Sequence, residues 1–178
     1  IPRDDLPVER IAGEWEKLLL HGQTPSRGLR FLAATGWLAG YPELARLVGC
    51  PQPPEHHPEG DVWVHTGLCL DAFARERLGD RLEDLIVGLA VLCHDLGKPD
   101  TIAVVDGKIR THGHQEAGVA IAERLLVRLS HRRDLVPQVL PLVRWHSQPS
   151  DLHEQRSGDA AIRRLARTSC YFVKGLPD

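Results

Sequence analysis

The residues best suited to chemistry here are histidines, ten of them in a chain of 178 residues. His65 lies in a helical pattern, His94 is followed directly by Asp95, and His114 and His146 fall on two later helical segments. Imidazoles with a carboxylate form a mixed N/O donor set that suits a divalent first-row metal such as Mn, Fe, Co, Ni or Zn. Asp95 sits between apolar Leu92 and Leu96. Burying an acid there without a partner is costly, which favours a ligand role.

For these side chains to act together, helices must bring them to one place. The hydrophobic period predicts a helix from Asp61 to about Leu78 and another from Asp80 to Leu96, broken at Gly79-Asp80. The midpoint of positions 65 and 94 is 79.5, on that break. With a constant rise of about 1.5 Å per residue, His65 and His94 stand at the same height on antiparallel neighbours. Asp95 follows, turned by about 100°. The same arithmetic places His114 and His146 level about the break at Ser130-His131-Arg132-Arg133. Two hairpins then aim four His and one Asp at one point.

Other residues leave alternatives open. Lys98 reads as a cation for a substrate phosphate, a partner for Asp95, or a helix-end Lys complementing the dipole. Asp61 reads as an N-cap or as a group orienting His65. His112 reads as a reserve ligand, a phosphate contact or neither. His56 and His57, in the Pro-rich loop Cys50–Gly60, read as surface residues, and His21, His131 and His153 as turn or helix-end residues.

The rest of the chain is also helical in period. Helices are expected over Val8 to Leu19 with Gly22 closing, Ser26 to Ala39, Glu43 to Val48, His114 to Leu129, Asp134 to His146 and Asp159 to Thr168. The segment Leu82 to Leu92 is apolar nearly all round and belongs at the centre. Ile102 to Thr111, with Asp106-Gly107 between β-branched runs, is a small hairpin or an ordered loop. The expected class is all-α: a compact helical bundle with a small helical N-terminal segment. The divisions are 1–50 as a helical segment, 51–150 as the main domain and 151–178 as a helical tail.

Composition sets limits. Hydrophobic residues are 42% and charged residues 26%, enough for one core and not a disordered chain. The net charge of −2 gives no global basic excess, so nucleic-acid contact needs a local patch. Arg156, Arg163, Arg164, Arg167 and Lys174 form either such a strip or a solvated helix face. The longest apolar run, Leu85 to Cys93, has nine residues, against the ~18 a membrane helix needs. The charged, Pro-rich start is not a secretory signal. Cys50, Cys69, Cys93 and Cys170 form no C-x-x-C pair and read as reduced, buried thiols of a cytoplasmic protein. There is no Met, which points to a fragment or processed form.

The stretches HHPEGDVWVHT (His56 to Thr66), LCHDLGKP (Leu92 to Pro99) and THGHQEAG (Thr111 to Gly118) resemble the HD phosphohydrolase domain. The resemblance is closest to the HD domain of bacterial tRNA nucleotidyltransferases, the CCA-adding enzymes. Glu14 to Gly49 is similar to the segment preceding HD in those enzymes. The resemblance covers about 1 to 150 and implies an all-α fold with divalent-metal phosphohydrolase chemistry. It implies His65, His94 and Asp95 as metal ligands, with His114 and His146 as further ligands or phosphate contacts. Asp95, Lys98 and His114 would be the catalytic groups, Lys98 and His114 stabilising charge on phosphoryl oxygens. The cofactor would be a divalent metal, Mn, Co, Ni, Mg or Fe, activating water for attack on phosphorus. The activities implied are those of a 2′,3′-cyclic phosphodiesterase, 2′-nucleotidase or phosphatase. The substrate would be a nucleotide or RNA 3′ end, and the partners tRNA or a separate nucleotidyltransferase, with no membrane.

Two departures qualify this. The nucleotidyltransferase head needs a Gly-Gly turn with paired acids, and the chain has no Gly-Gly, so it is not expected to add nucleotides by itself. The family also supplies a downstream Asp ligand, and after Leu165-Ala166-Arg167-Thr168-Ser169 the position holds Phe172, with Asp159 and Asp178 as weak substitutes. A metal held by so few ligands would be bound weakly. The rival reading is a non-catalytic RNA- or partner-binding module derived from such an enzyme.

Overall fold

The computed structural model describes residues 6–129 and 132–170, the last three of these by backbone alone. Ten α-helices are described: α1 (Val8–His21), α2 (Pro25–Ala34), α3 (Pro42–Ala45), α4 (Val62–Arg75), α5 (Arg81–Cys93), α6 (Lys98–Thr101), α7 (His114–Leu129), α8 (Val136–Trp145), α9 (Gln148–Glu154) and α10 (Asp159–Cys170). Among the described residues the only sheet is a hairpin, β1 (Ala103–Val105) and β2 (Lys108–Arg110), with Val104 opposite Ile109. The all-α class stands. No helix among the described residues is long and apolar enough to cross a membrane.

Several boundaries differ from the sequence reading for local reasons. The helix expected over 26–39 stops at Ala34, because Gly36 takes a left-handed φ of 78°, and Trp37–Gly40 continue as a 3₁₀ turn. The segment expected to end at Leu96 ends at Cys93 as α5; Pro99 then sits in the first turn of α6, where a missing N–H costs nothing. Helix α8 starts later than expected, with Pro137 in its first turn. Helix α9 was not anticipated. Asp106 (φ 51°) and Gly107 (φ 73°) both take left-handed angles, so the 102–111 segment is the hairpin rather than the loop.

The antiparallel pair α4–α5 is fixed by polar side chains at the start of α4 and at the turn between the helices. Asp61 caps α4 through Val64 N (2.9 Å) and also accepts from Gly49 N (2.6 Å). Asp80 caps α5 through Leu82 N and Glu83 N. The reciprocal arm of a capping box is absent; Asp84 instead accepts from Leu78 N (2.8 Å) and Gly79 N (3.0 Å). Apolar α5 is central as expected, packing against α1, α4, α7 and α8. Leu19, Leu70, Ile86, Leu92, Leu96 and Leu125 are fully buried around it.

The second pair, α7–α8, is set against the first by a close backbone crossing. A Cβ placed on Gly97 would lie 2.0 Å from the His114 carbonyl oxygen and 2.6 Å from Gly118 N. Only glycine permits the turn after Asp95 to lie under the start of α7. Gly97→Ala should therefore destabilise the fold by about 3 kcal/mol, the upper range for overpacking. Gly13→Ala, in α1 with nothing within 4 Å, should stabilise by about 0.5–1 kcal/mol. Denaturant unfolding of both variants checks the opposite signs.

Candidate metal centre

Asp95 lies just beyond α5 and is 2% exposed. Around its carboxylate stand His94 Nε2 at 3.0 Å, His65 Nε2 at 3.6 Å, His114 Nε2 at 3.5 Å and His146 Nε2 at 3.8 Å. The two helical hairpins thus bring together the four His and one Asp that height-matching selects. The His65 and His94 ring centroids are 5.4 Å apart, those of His94 and His146 5.1 Å, and those of His114 and His146 5.2 Å.

Each imidazole is oriented by its other nitrogen. His94 Nδ1 is 2.8 Å from the Val91 carbonyl, His114 Nδ1 2.7 Å from that of Thr111, and His146 Nδ1 2.7 Å from that of Val143. A carbonyl can only accept, so Nδ1 carries the proton in all three. His65 Nδ1 is 2.7 Å from Glu59 Oε1, which fixes the same tautomer with a carboxylate. All four rings therefore turn Nε2 inward. His114 Nε2 and His146 Nε2 face each other at 3.2 Å, two lone pairs with Asp95 Oδ1 behind them.

Asp95 Oδ2 is fully buried and receives no directed hydrogen bond. Lys98 Nζ (2.8 Å) and His94 Nε2 (3.0 Å) lie at ion-pair distance but out of hydrogen-bonding alignment. Lys98 is itself 7% exposed and donates to Gln52 Oε1 at 2.6 Å. Of the partners the sequence left open for Lys98, Asp95 is the one it meets here.

The electrostatics describe a site that demands positive charge. Burial alone would raise the Asp95 carboxyl, but His94 and Lys98 beside it hold it far below the usual carboxylate range. Burial disfavours charge on His94, yet Asp95 and Cys69 outweigh this and raise its pKa to about 10. His65 is also raised, with Cys69, Glu59 and Asp95 overcoming burial. His146, where burial dominates, falls to about 4, and His114 is lowered for the same reason. The same negative charge favours the protonated form of His94 strongly and shifts His65 in the same direction.

The donor set fits a divalent metal. Two groups of three donors lie within 4.8 Å of one another and share this cluster: Asp95 with His114 and His146, and His65 with His94 and Cys69. Asp95 Oδ2, which has no directed hydrogen bond, and the inward lone pairs are what a cation would satisfy.

Some readings need correction. His57 is half-buried rather than a surface residue: its Nδ1 is 3.0 Å from Glu59 Oε1, and its ring meets that of His65 edge-on at 4.6 Å. Glu59, not Asp61, orients His65, and hydrogen bonds from its own amide, His57 and His65 overcome burial to lower its pKa to about 2. Cys69 is not a thiol lost in an apolar stripe: its Sγ is 3.4 Å from His65 Nε2. Burial would raise the Cys69 thiol, but His65 and His94 bring it down to about 6. Asp159 is exposed on α10 and pairs with Arg163, outside the cluster. His112 and His56 are exposed. Phe172, Lys174, Asp178 and His131 lie outside the described residues.

Sequence reasoning missed Glu59, Gln52 and Cys69. Cys69 carries a signal in retrospect: it is four residues after His65, on the same face of α4. A cavity of about 330 Å³ opens beside the centre, lined by Cys69, Val87, Val91, His94, Leu142 and His146 among others. A larger cavity, about 550 Å³, lies between α1 and α2 and contains none of these residues.

Residues 67–168 match the HD-domain family, so the chain belongs to the HD-type phosphohydrolase family, whose domains bind divalent metals. The match begins two residues after His65. The chain is similar to the multifunctional CCA protein of Alkalilimnicola ehrlichii, 40% identical over 179 residues, covering 96% of this chain and 41% of that protein. It is 39% identical over 158 residues to that of Halorhodospira halophila, covering 87% of this chain and 36% of that protein. It is 38% identical over 182 residues to that of Thioalkalivibrio sulfidiphilus, covering 96% and 42%. The chain thus spans about two fifths of the length of the curated relatives it matches. No solved structure gives a significant match.

If Asp95 is what keeps the proton on His94, Asp95→Asn should release it. Imidazole NMR of metal-free protein should show His94 charged well above pH 7 in the parent and titrating at clearly lower pH in the variant, where only Cys69 still opposes burial. Equal titration in both would contradict the assignment.

Proposed function

We propose that the chain is a metal-dependent phosphohydrolase acting on a nucleotide or RNA-end phosphoester, of 2′,3′-cyclic phosphodiesterase or phosphatase type. The observation that carries this is the convergence of four Nε2 atoms on a buried carboxylate, one oxygen of which makes ion-pair contacts but no directed hydrogen bond. His65, His94 and Asp95 are the ligands, joined by His114 and His146 on the far side of Asp95. A divalent ion bound there supplies Lewis-acid activation of water and charge neutralisation at phosphoryl oxygens.

The protein's own groups do the rest. Glu59 and the three backbone carbonyls hold the imidazoles in the ligating tautomer. Lys98 neutralises and holds Asp95, with Gln52 fixing its ammonium; this makes it a positioning residue. His114 and His146, neutral because burial depresses both, present Nε2 lone pairs that either ligate the ion or accept a proton from water. The apolar side chains of Val87, Val91 and Leu142 line the cavity beside the centre and suit the organic half of a phosphodiester.

The relatives' printed name, multifunctional CCA protein, supports an RNA end as the substrate class and tRNA as the partner. The exposure of Arg163, Arg164 and Arg167 on α10 supports phosphate contacts there. By the same reading residues 1–50 are the segment preceding HD, 51–150 the HD domain proper and 151–178 its tail, and the protein is cytoplasmic.

Asp95→Ala should lower metal-stimulated hydrolysis of bis-p-nitrophenyl phosphate and of 2′,3′-cyclic nucleotides by at least about a hundredfold, since a direct ligand should exceed the effect of outer partners. Circular dichroism should remain helical. EDTA should abolish the parent activity, and Mn, Co or Ni should restore it. A helical Asp95→Ala variant with full activity would overturn the assignment.

A further inference from the structure

We infer that Cys69 is a sulfur ligand of the metal centre, completing with His65, His94 and Asp95 a set of two imidazoles, one carboxylate and one thiolate. The inference rests on the metal reading above and goes beyond the His/Asp set that reading uses.

The geometry is that of a ligand position. His65 and Cys69 are one turn apart on α4, so both side chains leave the same face. Cys69 Sγ stands 3.4 Å from His65 Nε2, and a ring nitrogen of His94 completes a triangle with all edges within 4.8 Å. With Zn–N near 2.0–2.1 Å and Zn–S near 2.3 Å, tetrahedral N and S ligands of one ion stand about 3.6 Å apart. The N and O ligands of the same ion stand about 3.4 Å apart by the same reckoning. The observed His65 Nε2–Asp95 Oδ2 distance is 3.6 Å.

A second, independent observation points to a cation at the same place. Asp95 Oδ2, on a side chain 2% exposed, is the buried oxygen without a hydrogen bond, and it faces the same two imidazoles. Lys98 Nζ stands 2.8 Å from that oxygen, and an ion held by His65, His94 and Cys69 beside it would add a directed partner.

The consequence is metal selectivity. Oxygen and imidazole donors accept Mg and Mn readily, while a thiolate favours softer ions such as Zn, Co and Fe. It also supplies an anionic donor where the downstream acid expected from the sequence is replaced by Phe172. Binding displaces the thiol proton to solvent. Cys69 shares the lining of the adjoining cavity with Val87, Val91 and Leu142.

The test is cobalt(II) titration of the full metal-free chain, read by absorption rather than by turnover. The visible d–d bands report binding, and a sulfur-to-cobalt charge-transfer band in the near ultraviolet reports the thiolate. The parent should show both. Cys69→Ser should keep the d–d bands and lose the charge-transfer band, whereas Cys50→Ala should keep both. Cys69→Ser should also weaken Zn and Co binding by at least about tenfold, and Mn binding far less. Cobalt bound without the charge-transfer band, or a band that survives Cys69→Ser, overturns the role of Cys69 and leaves the centre standing. A parent that binds no cobalt overturns the metal reading and this inference with it.

Discussion

The structure depends on one buried carboxylate. Asp95 is taken out of water by Leu92, Leu96 and the packed helices, and one of its oxygens is given no hydrogen bond. A charge so placed is tolerable only when positive charge stands around it. Lys98 supplies one such charge from three residues downstream. His94, raised to about 10, supplies another, and His65 is shifted in the same direction. The centre is thus an anion cage whose occupancy by protons or by a metal is a competition for the same lone pairs.

The scaffold serves that cage by fixing directions rather than by adding contacts. His94 and His146 each follow the last residue of a helix, and His114 opens one. Each donates from Nδ1 to the carbonyl three residues earlier. For α5 and α8 this satisfies a last-turn carbonyl that the helix itself leaves open. One bond therefore terminates a helix and aims a ligand. Gly97 completes the arrangement, since any Cβ there would push α7, and with it His114, away from Asp95.

Much of this was legible from residue order. The helical periods around the Gly79-Asp80 turn placed His65 level with His94, and the same count about residue 130 placed His114 level with His146, because rise per residue is constant. Helix ends were less legible: the left-handed Gly36 and the Pro99 start of α6 depend on local angles that composition does not specify. Glu59 was missed because its loop is Pro-rich and its path back to His65 is set by Gln52, Asp61 and Gly60 rather than by periodicity. Cys69 was missed because cysteine packs as a small apolar residue, so its place in an apolar stripe concealed a face it shares with His65. The contacts of Lys98 were open in sequence because a flexible four-carbon stem can reach several partners.

These features describe an HD-family centre in which backbone carbonyls and Glu59 orient the ligands and Lys98 holds the central acid. The most direct test is anomalous diffraction from crystals grown with cobalt or manganese. The account predicts a peak about 2.0–2.3 Å from His65 Nε2, His94 Nε2 and Asp95 Oδ2. A fully helical protein in saturating metal, with no peak in the cluster or with the ion bound elsewhere, would contradict it.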